Sequence, residues 1–335
     1  MRRLRDRRLW LGLAITALAL WFAFRDVSWP ELGQQLARAN WWLLLGASLP
    51  AYAWSIQLRA QRWRVLARGV ADVPSGAAFR ATAVGFMVNN LMPLRIGELV
   101  RVWWLAREIR SSVPALFGTW MLERVIDAVF LLGLAALVIG NQVGRGLLLT
   151  AALGPLLVTL ALRRWPGPAL RGVRRAAGLV LAPERADRIT GIAGSVAEGL
   201  AGLRGGKDFA HMLGLTFLLW GVAAVIPFWA ALAALDIDLG GWLGSLRGAL
   251  LILVYVAAAV ALPAAPGFFG PYHAACRYAL TPLGVSKELA LALGTLAHAV
   301  FWIGITAIGL IALRGGTQRL REAVRIAEDD SEPAT

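Results

Sequence analysis

Apolar residues fall into eight long runs along the chain, and short polar or arginine-rich segments separate them. Most runs approach the roughly 20 residues that an α-helix needs to cross a bilayer. No stretch alternates apolar and polar residues as the strands of an outer-membrane barrel do. The pattern predicts an all-α polytopic membrane protein with helices at 9–24, 41–59, 77–92, 114–140, 146–163, 212–235, 245–262 and 288–313.

Composition and charge support this class of protein. Of 335 residues, 58% are hydrophobic, which exceeds the apolar share of a typical soluble domain. The net charge of +14 comes mainly from arginines that cluster between the apolar runs, as in cytoplasmic loops under the positive-inside rule. We therefore expect anionic lipids, and not nucleic acid, as partners of the basic segments. The single cysteine, Cys276, permits no cysteine-based metal cluster, and we expect neither a metal ion nor a cofactor.

The amino-terminal segment reads MRRLRDRR, and the first apolar run follows it at once. This resembles the start of a signal peptide, but no small-residue cleavage site follows. We interpret the run as an uncleaved anchor in the inner (cytoplasmic) membrane, with the amino terminus in the cytoplasm. The predicted cytoplasmic connections are the Arg59–Arg68 loop and the segment 164–210, which is expected to form short amphipathic helices on the membrane surface.

The short run at 77–92 decides on which side of the membrane the later loops lie. If it crosses, the basic segment 164–210 falls outside; if it re-enters, that segment falls inside, as its charge favours. We favour re-entry, because the run ends at Pro93 and broken backbone at membrane depth is tolerated where it lines a cavity. Both interpretations stay open for 262–280, so the side of the carboxyl terminus is not assigned.

Two interrupted segments recur in the two halves of the chain. Pro93–Gly97 corresponds to Pro263–Gly267, and a Gly-Thr pair follows each of them in the next long helix. In a transporter, paired broken segments of this kind point to a binding site near the bilayer midplane. The predicted hinge residues of the re-entrant segments are Pro93, Gly97, Pro263, Pro266, Gly267 and Gly270.

These segments define the expected domain organisation. We predict a single membrane domain at 1–313, with pseudo-repeats at about 41–163 and 212–313 around a central polar cavity. A cytoplasmic or disordered tail is expected at 314–335. A homo-oligomer is compatible with this arrangement.

Three charged residues lie inside the apolar run at 114–140: Glu123, Arg124 and Asp127. Each costs at least about 2.5–3.5 kcal/mol near the bilayer centre, so they are expected to face a protein interior or a wet cavity. Glu123 and Asp127 are four residues apart and share a helix face, and Arg124 can neutralise one of them. The trio indicates a functional site, and the alternative is a structural ion pair that locks two helices together.

A second charged group follows the first interrupted segment. Glu98 and Arg101 are three residues apart, which places them on one face of a following helix. Guanidinium groups bind phosphate through paired donors, so Arg95, Arg101 and Arg124 are candidate contacts of an anionic lipid headgroup. The alternative is an interfacial loop with solvated charges. The predicted substrate-binding residues are Arg95, Glu98, Arg101, Glu123, Arg124, Asp127, His273 and His298.

The run MPLRIGELVR at 92–101, LERVID at 122–127 and PGFFG at 266–270 resemble a known family. It is the flippase-like, lysylphosphatidylglycerol-synthase transmembrane-domain family, and the resemblance covers roughly residues 10–313. The family includes the membrane half of the multiple peptide resistance factor, and the resemblance implies re-entrant elements around a central cavity. It also implies movement of a lipid between leaflets. The residues that match the family pattern are Pro93, Arg95, Gly97, Glu98, Arg101, Glu123, Arg124, Asp127, Pro266, Gly267 and Gly270.

Two positions depart from that pattern. His273 stands where the family commonly has an acidic residue, and His298 stands near a frequent arginine. Histidine titrates near neutral pH, so the second half of the site would carry less charge and respond to pH. Either histidine has an alternative role as a hydrogen-bonding packing residue.

The leading functional hypothesis is a non-enzymatic flippase for a phospholipid or a polyprenyl-linked (glyco)lipid. No GxxxxGK[ST] loop is present, so ATP is not expected to drive it within this chain. One alternative is an integral-membrane lipid-modifying enzyme, in which the histidines and carboxylates act as acids and bases and Asp236-Ile-Asp238 resembles a sugar-nucleotide motif. A third possibility is a structural or partner subunit of a lipid synthase.

Overall fold

The computed structural model describes residues 7–92, 95–201, 206–261 and 266–329. Every regular element within these ranges is helical, which confirms the all-α prediction. The helices are α1 (Arg7–Phe24), α2 (Trp29–Arg38), α3 (Trp41–Ala67), α4 (Ser75–Leu91), α5 (Gly97–Glu108), α6 (Val113–Val138), α7 (Gly140–Val143), α8 (Arg145–Arg164), α9 (Pro166–Gly178), α10 (Pro183–Ala201), α11 (Gly206–Phe217), α12 (Ile226–Ala234), α13 (Gly241–Ala261), α14 (Pro271–Leu280) and α15 (Lys287–Asp329).

Several helices differ from the sequence prediction. Helix α15 continues to Asp329, well beyond the predicted end at 313. The Arg59–Arg68 loop prediction is wrong for most of its length, because α3 continues to Ala67. The segment predicted as one helix at 212–235 is interrupted by a π-helical turn at Leu218–Ala223. Pro227 explains the interruption: it has no N–H to donate to the carbonyl four residues earlier, and its ring displaces that carbonyl.

Three stretches of the described chain are long and apolar enough to cross a membrane, judged by length and composition: Gly206–Ala234, Gly241–Ala261 and Lys287–Gly315. Helix α6 is also long, with 26 residues, but it contains three charged residues, so its composition is not as apolar as that of these three stretches. The 10-residue helix α14 extends about 15 Å, which is half of the hydrocarbon core. Re-entry of 77–92 and of 262–280 stays a prediction.

The chain forms two compact units, which alternate along the sequence. Unit 1 comprises Met1–Ile56, Ala83–Glu98 and Leu219–Ile311, and unit 2 comprises Gln57–Thr82, Leu99–Leu218 and Ala312–Thr335. The predicted pseudo-repeats are a different division of the chain, and they stay a prediction.

In unit 1, α14 packs against both α13 and α1. Arg277 on α14 donates from Nη1 to the carbonyl oxygens of Phe22 and Ala23, both at 2.8 Å. These carbonyls belong to the last turn of α1, where no intrahelical partner exists for them. Gly270 has φ +91°, and a Cβ there would lie 2.7 Å from the carbonyl oxygen of Thr16. The first helix is therefore fitted closely to the second interrupted segment.

In unit 2, α6 packs against α8 and α10, and α11 also contacts it. The segment 164–210, predicted to form short amphipathic helices, contains α9 and α10. Helix α9 packs against α8 and α10. The central position of α6 in this unit places its charged residues among helix neighbours.

Candidate functional site

The two carboxylates of α6 lie on one buried face of the helix. Glu123 has no exposed surface, and Asp127 is 5% exposed. Spacing by four residues brings both side chains to the same side, as the sequence predicts. A buried carboxylate is expensive unless cations and hydrogen-bond donors surround it, so their neighbours decide what this site does.

Arg62 on α3 bridges both carboxylates. Its Nη1 donates to Oδ1 of Asp127 at 2.6 Å, and its Nη2 donates to Oε1 of Glu123 at 3.1 Å. The Nη1 atom also lies 3.3 Å from Oγ1 of Thr216 on α11. The Arg62 side chain is completely buried, so one guanidinium ties three helices of unit 2 together.

Arg101 on α5 holds the other oxygen of Glu123. Its Nη2 donates to Oε2 at 2.7 Å, and its Cζ lies 4.7 Å from the ring centroid of Trp63. The indole of Trp63 donates from Nε1 to Oγ1 of Thr119 at 2.9 Å. Arg101 has no exposed surface. The stacking and the ion pair together fix its orientation.

Arg124 differs from these two arginines because part of its side chain is open. Its Nη2 lies 2.8 Å from Oε1 of Glu123 and 3.1 Å from Oδ2 of Asp127, and 26% of the side chain is exposed. Arg59 adds a longer contact, 4.0 Å from Nη1 to Oδ2 of Asp127. Among the described residues, four guanidinium groups therefore contact two carboxylates. This arrangement is the unit 2 arginine cluster.

Arg59 and Arg62 were not among the predicted site residues, because the sequence pattern assigned them to a loop. Their spacing of three residues places them on one helix face, and no glycine or proline follows Leu58 until Gly69. Those two observations would have extended the helix and shown that its end carries a basic face.

In unit 1, Glu98 is a buried acidic residue beside the first interrupted segment. Its Oε1 accepts from Nδ2 of Asn89 at 3.3 Å and lies 3.9 Å from Nη2 of Arg95. Arg95 also donates from Nη1 to the carbonyl of Val260 at 3.4 Å. About a third of the Arg95 side chain is exposed, whereas Glu98 is buried. Arg95 is therefore a partly exposed cation that lies next to the buried carboxylate of Glu98.

Gly97 permits the start of α5 to approach α4 closely, and this approach creates the arrangement around Glu98. A Cβ at position 97 would lie 2.0 Å from the carbonyl oxygen of Gly85 and 2.6 Å from Oδ1 of Asn89. No side chain fits at those distances, so the hinge prediction for Gly97 has a steric basis. Pro93 and Pro263, also predicted as hinges, lie outside the described residues.

The two histidines lie together in unit 1 within a group of aromatic rings. The ring centroids of His273 and His298 are 5.1 Å apart, and Tyr272 stacks on His298 at 4.6 Å. His298 Nε2 lies 2.7 Å from the carbonyl oxygen of Gly267, which has φ +73°. Pro266 starts the 3₁₀ turn that contains this glycine. His298 therefore forms a hydrogen bond to the second interrupted segment. This contact is of the kind expected for the alternative role, that of a hydrogen-bonding packing residue.

The DxD-like segment has a local structural role. Oδ1 of Asp238 accepts the backbone N–H groups of Gly240 and Gly241, both at 2.9 Å. The hydrogen bond from Gly241 lowers the pKa of the exposed Asp238 carboxyl below its ordinary value, and the bond from Gly240 adds to this effect. The carboxylate therefore shapes the turn that precedes α13.

The predicted site residues fall into two groups, one in each unit. Unit 1 holds Arg95, Glu98, His273 and His298, and unit 2 holds Arg101, Glu123, Arg124 and Asp127. The structure joins all four residues of the second group by direct contacts. A single cavity that both groups line stays a prediction.

A family model described as the lysylphosphatidylglycerol synthase TM region matches residues 9–309. This range covers most of the chain, so the protein belongs to that family, and the predicted resemblance is confirmed. No curated protein and no solved structure matches the chain. Family membership together with the apolar helices identifies a membrane protein linked to lipid modification or transport.

Proposed function

We propose that this member of the lysylphosphatidylglycerol synthase transmembrane family moves a lipid with a phosphate-bearing headgroup between the leaflets of the inner membrane. The lipid is a phospholipid or a polyprenyl-linked (glyco)lipid. The observation that carries the proposal is the unit 2 arginine cluster, in which buried arginines hold the carboxylates and one further arginine, Arg124, is partly exposed. Arginine is suited to phosphate because its planar fork forms paired hydrogen bonds.

The ion pairs within the cluster would allow Arg124 to exchange its carboxylate partners for a lipid phosphate. If Arg124 turns towards a phosphate, Glu123 keeps its contacts with Arg62 and Arg101. Asp127 likewise keeps its contact with Arg62. No buried carboxylate loses all of its partners, so the exchange avoids the penalty of an uncompensated buried charge. A passing headgroup can therefore bind and leave.

The other predicted site residues receive supporting roles in this proposal. Arg101 is completely buried between Trp63 and Glu123, so it orients the carboxylate and adds positive potential. Arg95, with its partly open side chain, offers a second phosphate contact within unit 1. If 77–92 and 262–280 re-enter the membrane, the interrupted segments Pro93–Gly97 and Pro263–Gly267 would lie at membrane depth, as broken helices do in transporters. We propose no chemical step on the lipid.

Reconstituted protein tests the proposal directly. Purified protein is placed in liposomes that contain fluorescent phosphatidylglycerol, and dithionite added outside reports the lipid that has reached the outer leaflet. We expect wild-type protein to bring the inner-leaflet lipid to the outer leaflet, where dithionite reduces it. Arg124→Gln should lower the rate of this movement at least about tenfold, because the loss of one charge-assisted contact of ~1.4 kcal/mol would give that factor.

Arg145→Gln is the matched control, because Arg145 is exposed and its side chain bonds only a neighbouring asparagine among the described residues. It is expected to behave as wild type. No lipid movement by wild-type protein with any anionic lipid would count against transport. Chemical conversion of the labelled lipid, detected by mass spectrometry of the extracted liposomes, would favour the lipid-modifying enzyme instead.

A further inference from the structure

Helix α9 and the residues that flank it form a basic and largely exposed surface of unit 2. None of the α9 residues is buried, although the helix packs against α8 and α10. The stretch from Arg164 to Pro183 contains four arginines and no acidic residue. The stretch therefore carries only positive charge.

The arginines of this surface are available to an external anion. Arg174 pairs with Asp187 on α10, with 2.8 Å between Nε and Oδ1, but both side chains are more than half exposed. Exposed pairs of this kind contribute little to stability and exchange readily. Arg171 and Arg175 are exposed, and neither forms an ion pair with any residue that the structure describes.

Large apolar side chains are exposed at both ends of the helix. Trp165 is 58% exposed at the start, and Leu179 and Val180 are 87% and 84% exposed just after the end. Arg164 lies with its Cζ 5.4 Å from the Trp165 ring centroid, at the point where the apolar helix α8 ends. Tryptophan and arginine at the end of an apolar helix are typical of the membrane–water interface.

We propose that α9 lies on the bilayer surface and binds the headgroups of anionic phospholipids. Arg171, Arg174 and Arg175 contact lipid phosphates, and the apolar side chains at the two ends insert among the upper acyl chains. The two ends are about 20 Å apart along the helix. Separated apolar anchors around an all-positive helix fit a flat anionic surface better than a compact protein patch, which would need one contiguous apolar centre.

This lipid site is distinct from the arginine cluster of α6, and its occupants would be resident lipids of the membrane. The proposal therefore does not depend on lipid transport. It predicts a protein whose α9 segment senses the proportion of anionic lipid in the leaflet that it touches. Each arginine near such a surface contributes about fivefold to binding, so Arg171 and Arg175 together contribute roughly thirty-fold.

A single fluorophore can report where this surface lies. Cys276 is the only cysteine in the chain, and it is completely buried. Leu179→Cys in the whole chain therefore provides one accessible site for an environment-sensitive label. The labelled protein is reconstituted into phosphatidylcholine liposomes with and without phosphatidylglycerol. Doxyl-labelled lipids quench the label if it inserts, and aqueous iodide quenches it if it does not.

We expect doxyl quenching to rise with phosphatidylglycerol and iodide quenching to fall. Arg171→Gln with Arg175→Gln should abolish that dependence. Arg185→Gln with Arg188→Gln, an equal loss of charge from exposed positions of α10, should preserve it.

Three results would overturn the proposal. The first is equal doxyl quenching in both lipid mixtures, and the second is persistent iodide access. In the third, the label is shielded from iodide but not quenched by doxyl lipid, because a protein surface such as a second copy of the chain then covers α9. The comparison of lipid mixtures uses Leu179→Cys alone, so poor folding of an arginine variant leaves the test intact.

Discussion

Nη1 of Arg62 lies 2.6 Å from Oδ1 of Asp127, although 65 positions separate the two residues in the sequence. The same guanidinium also reaches Glu123, and neither arginine nor glutamate has exposed side-chain surface. Arg62 is thus the structural centre of the cluster, whereas Arg124 is its accessible member. The two arginines should respond differently to substitution, and that difference separates stability from transport.

Removal of Arg62 should destabilise the protein strongly. Arg62→Met leaves two buried carboxylates with fewer cations, which typically costs about 3–5 kcal/mol. Arg124→Gln should cost far less, because its side chain is partly exposed and the carboxylates keep other partners. Thermal unfolding in detergent, followed by tryptophan fluorescence, measures both changes. Equal destabilisation by the two variants would mean that Arg124 is a structural member of the network.

The contact between Arg62 and Asp127 can be tested separately by a double-mutant cycle. Asp127→Asn removes the negative charge while it keeps the side-chain volume. We expect Arg62→Met and Asp127→Asn to be non-additive by at least about 1 kcal/mol, because residues in direct contact share the energy that each single change removes. Full additivity in the unfolding measurements would contradict the direct ion pair.

Substitution of Gly97 should be severe because of its position against Gly85. The added methyl group in Gly97→Ala would sit 2.0 Å from a backbone carbonyl that cannot rotate away. We expect a loss of more than about 1–3 kcal/mol, the usual range for overpacking. Gly46→Ala is the control, since no atom lies within 4 Å of a Cβ there. Wild-type stability of Gly97→Ala would disprove the close approach of α5 to α4.

His298 should contribute to stability through the carbonyl of Gly267. His298→Phe keeps the aromatic packing and removes the bond between Nε2 and that carbonyl. The expected cost is about 1–3 kcal/mol, because a buried acceptor then loses its partner. His211→Phe, at an exposed histidine, should change the unfolding temperature little. An unchanged unfolding temperature for His298→Phe would argue that the histidine acts in transport alone.

Arg277 should hold the end of α1 against α14. Arg277→Gln removes a donor that reaches the carbonyls of Phe22 and Ala23. We expect faster hydrogen exchange in α1, because the end of the helix loses its cap. Arg247→Gln is a charge-matched control on α13. Unaltered exchange in α1 would show that apolar packing alone holds the helix.

Much of the helical plan follows from the sequence. The predicted helix at 114–140 corresponds to α6, and 146–163 corresponds to α8, because long apolar runs form helices whatever their neighbours are. The prediction failed at Arg59–Arg68, where polar side chains suggested a loop although the backbone had no reason to leave the helix. Polarity was misleading there because arginines of a helix can be buried against carboxylates from a distant segment.

The sequence by itself determined that this chain is an all-helical membrane protein, that its family is recognisable, and that Glu123 and Asp127 share a helix face. These properties depend on local composition and on helix periodicity, which are readable along one dimension. Only the tertiary structure decided which cations neutralise those carboxylates and which arginine stays accessible. Arg62 and Arg101 come from other helices, and their burial depends on packing over long sequence separations, which no local pattern encodes.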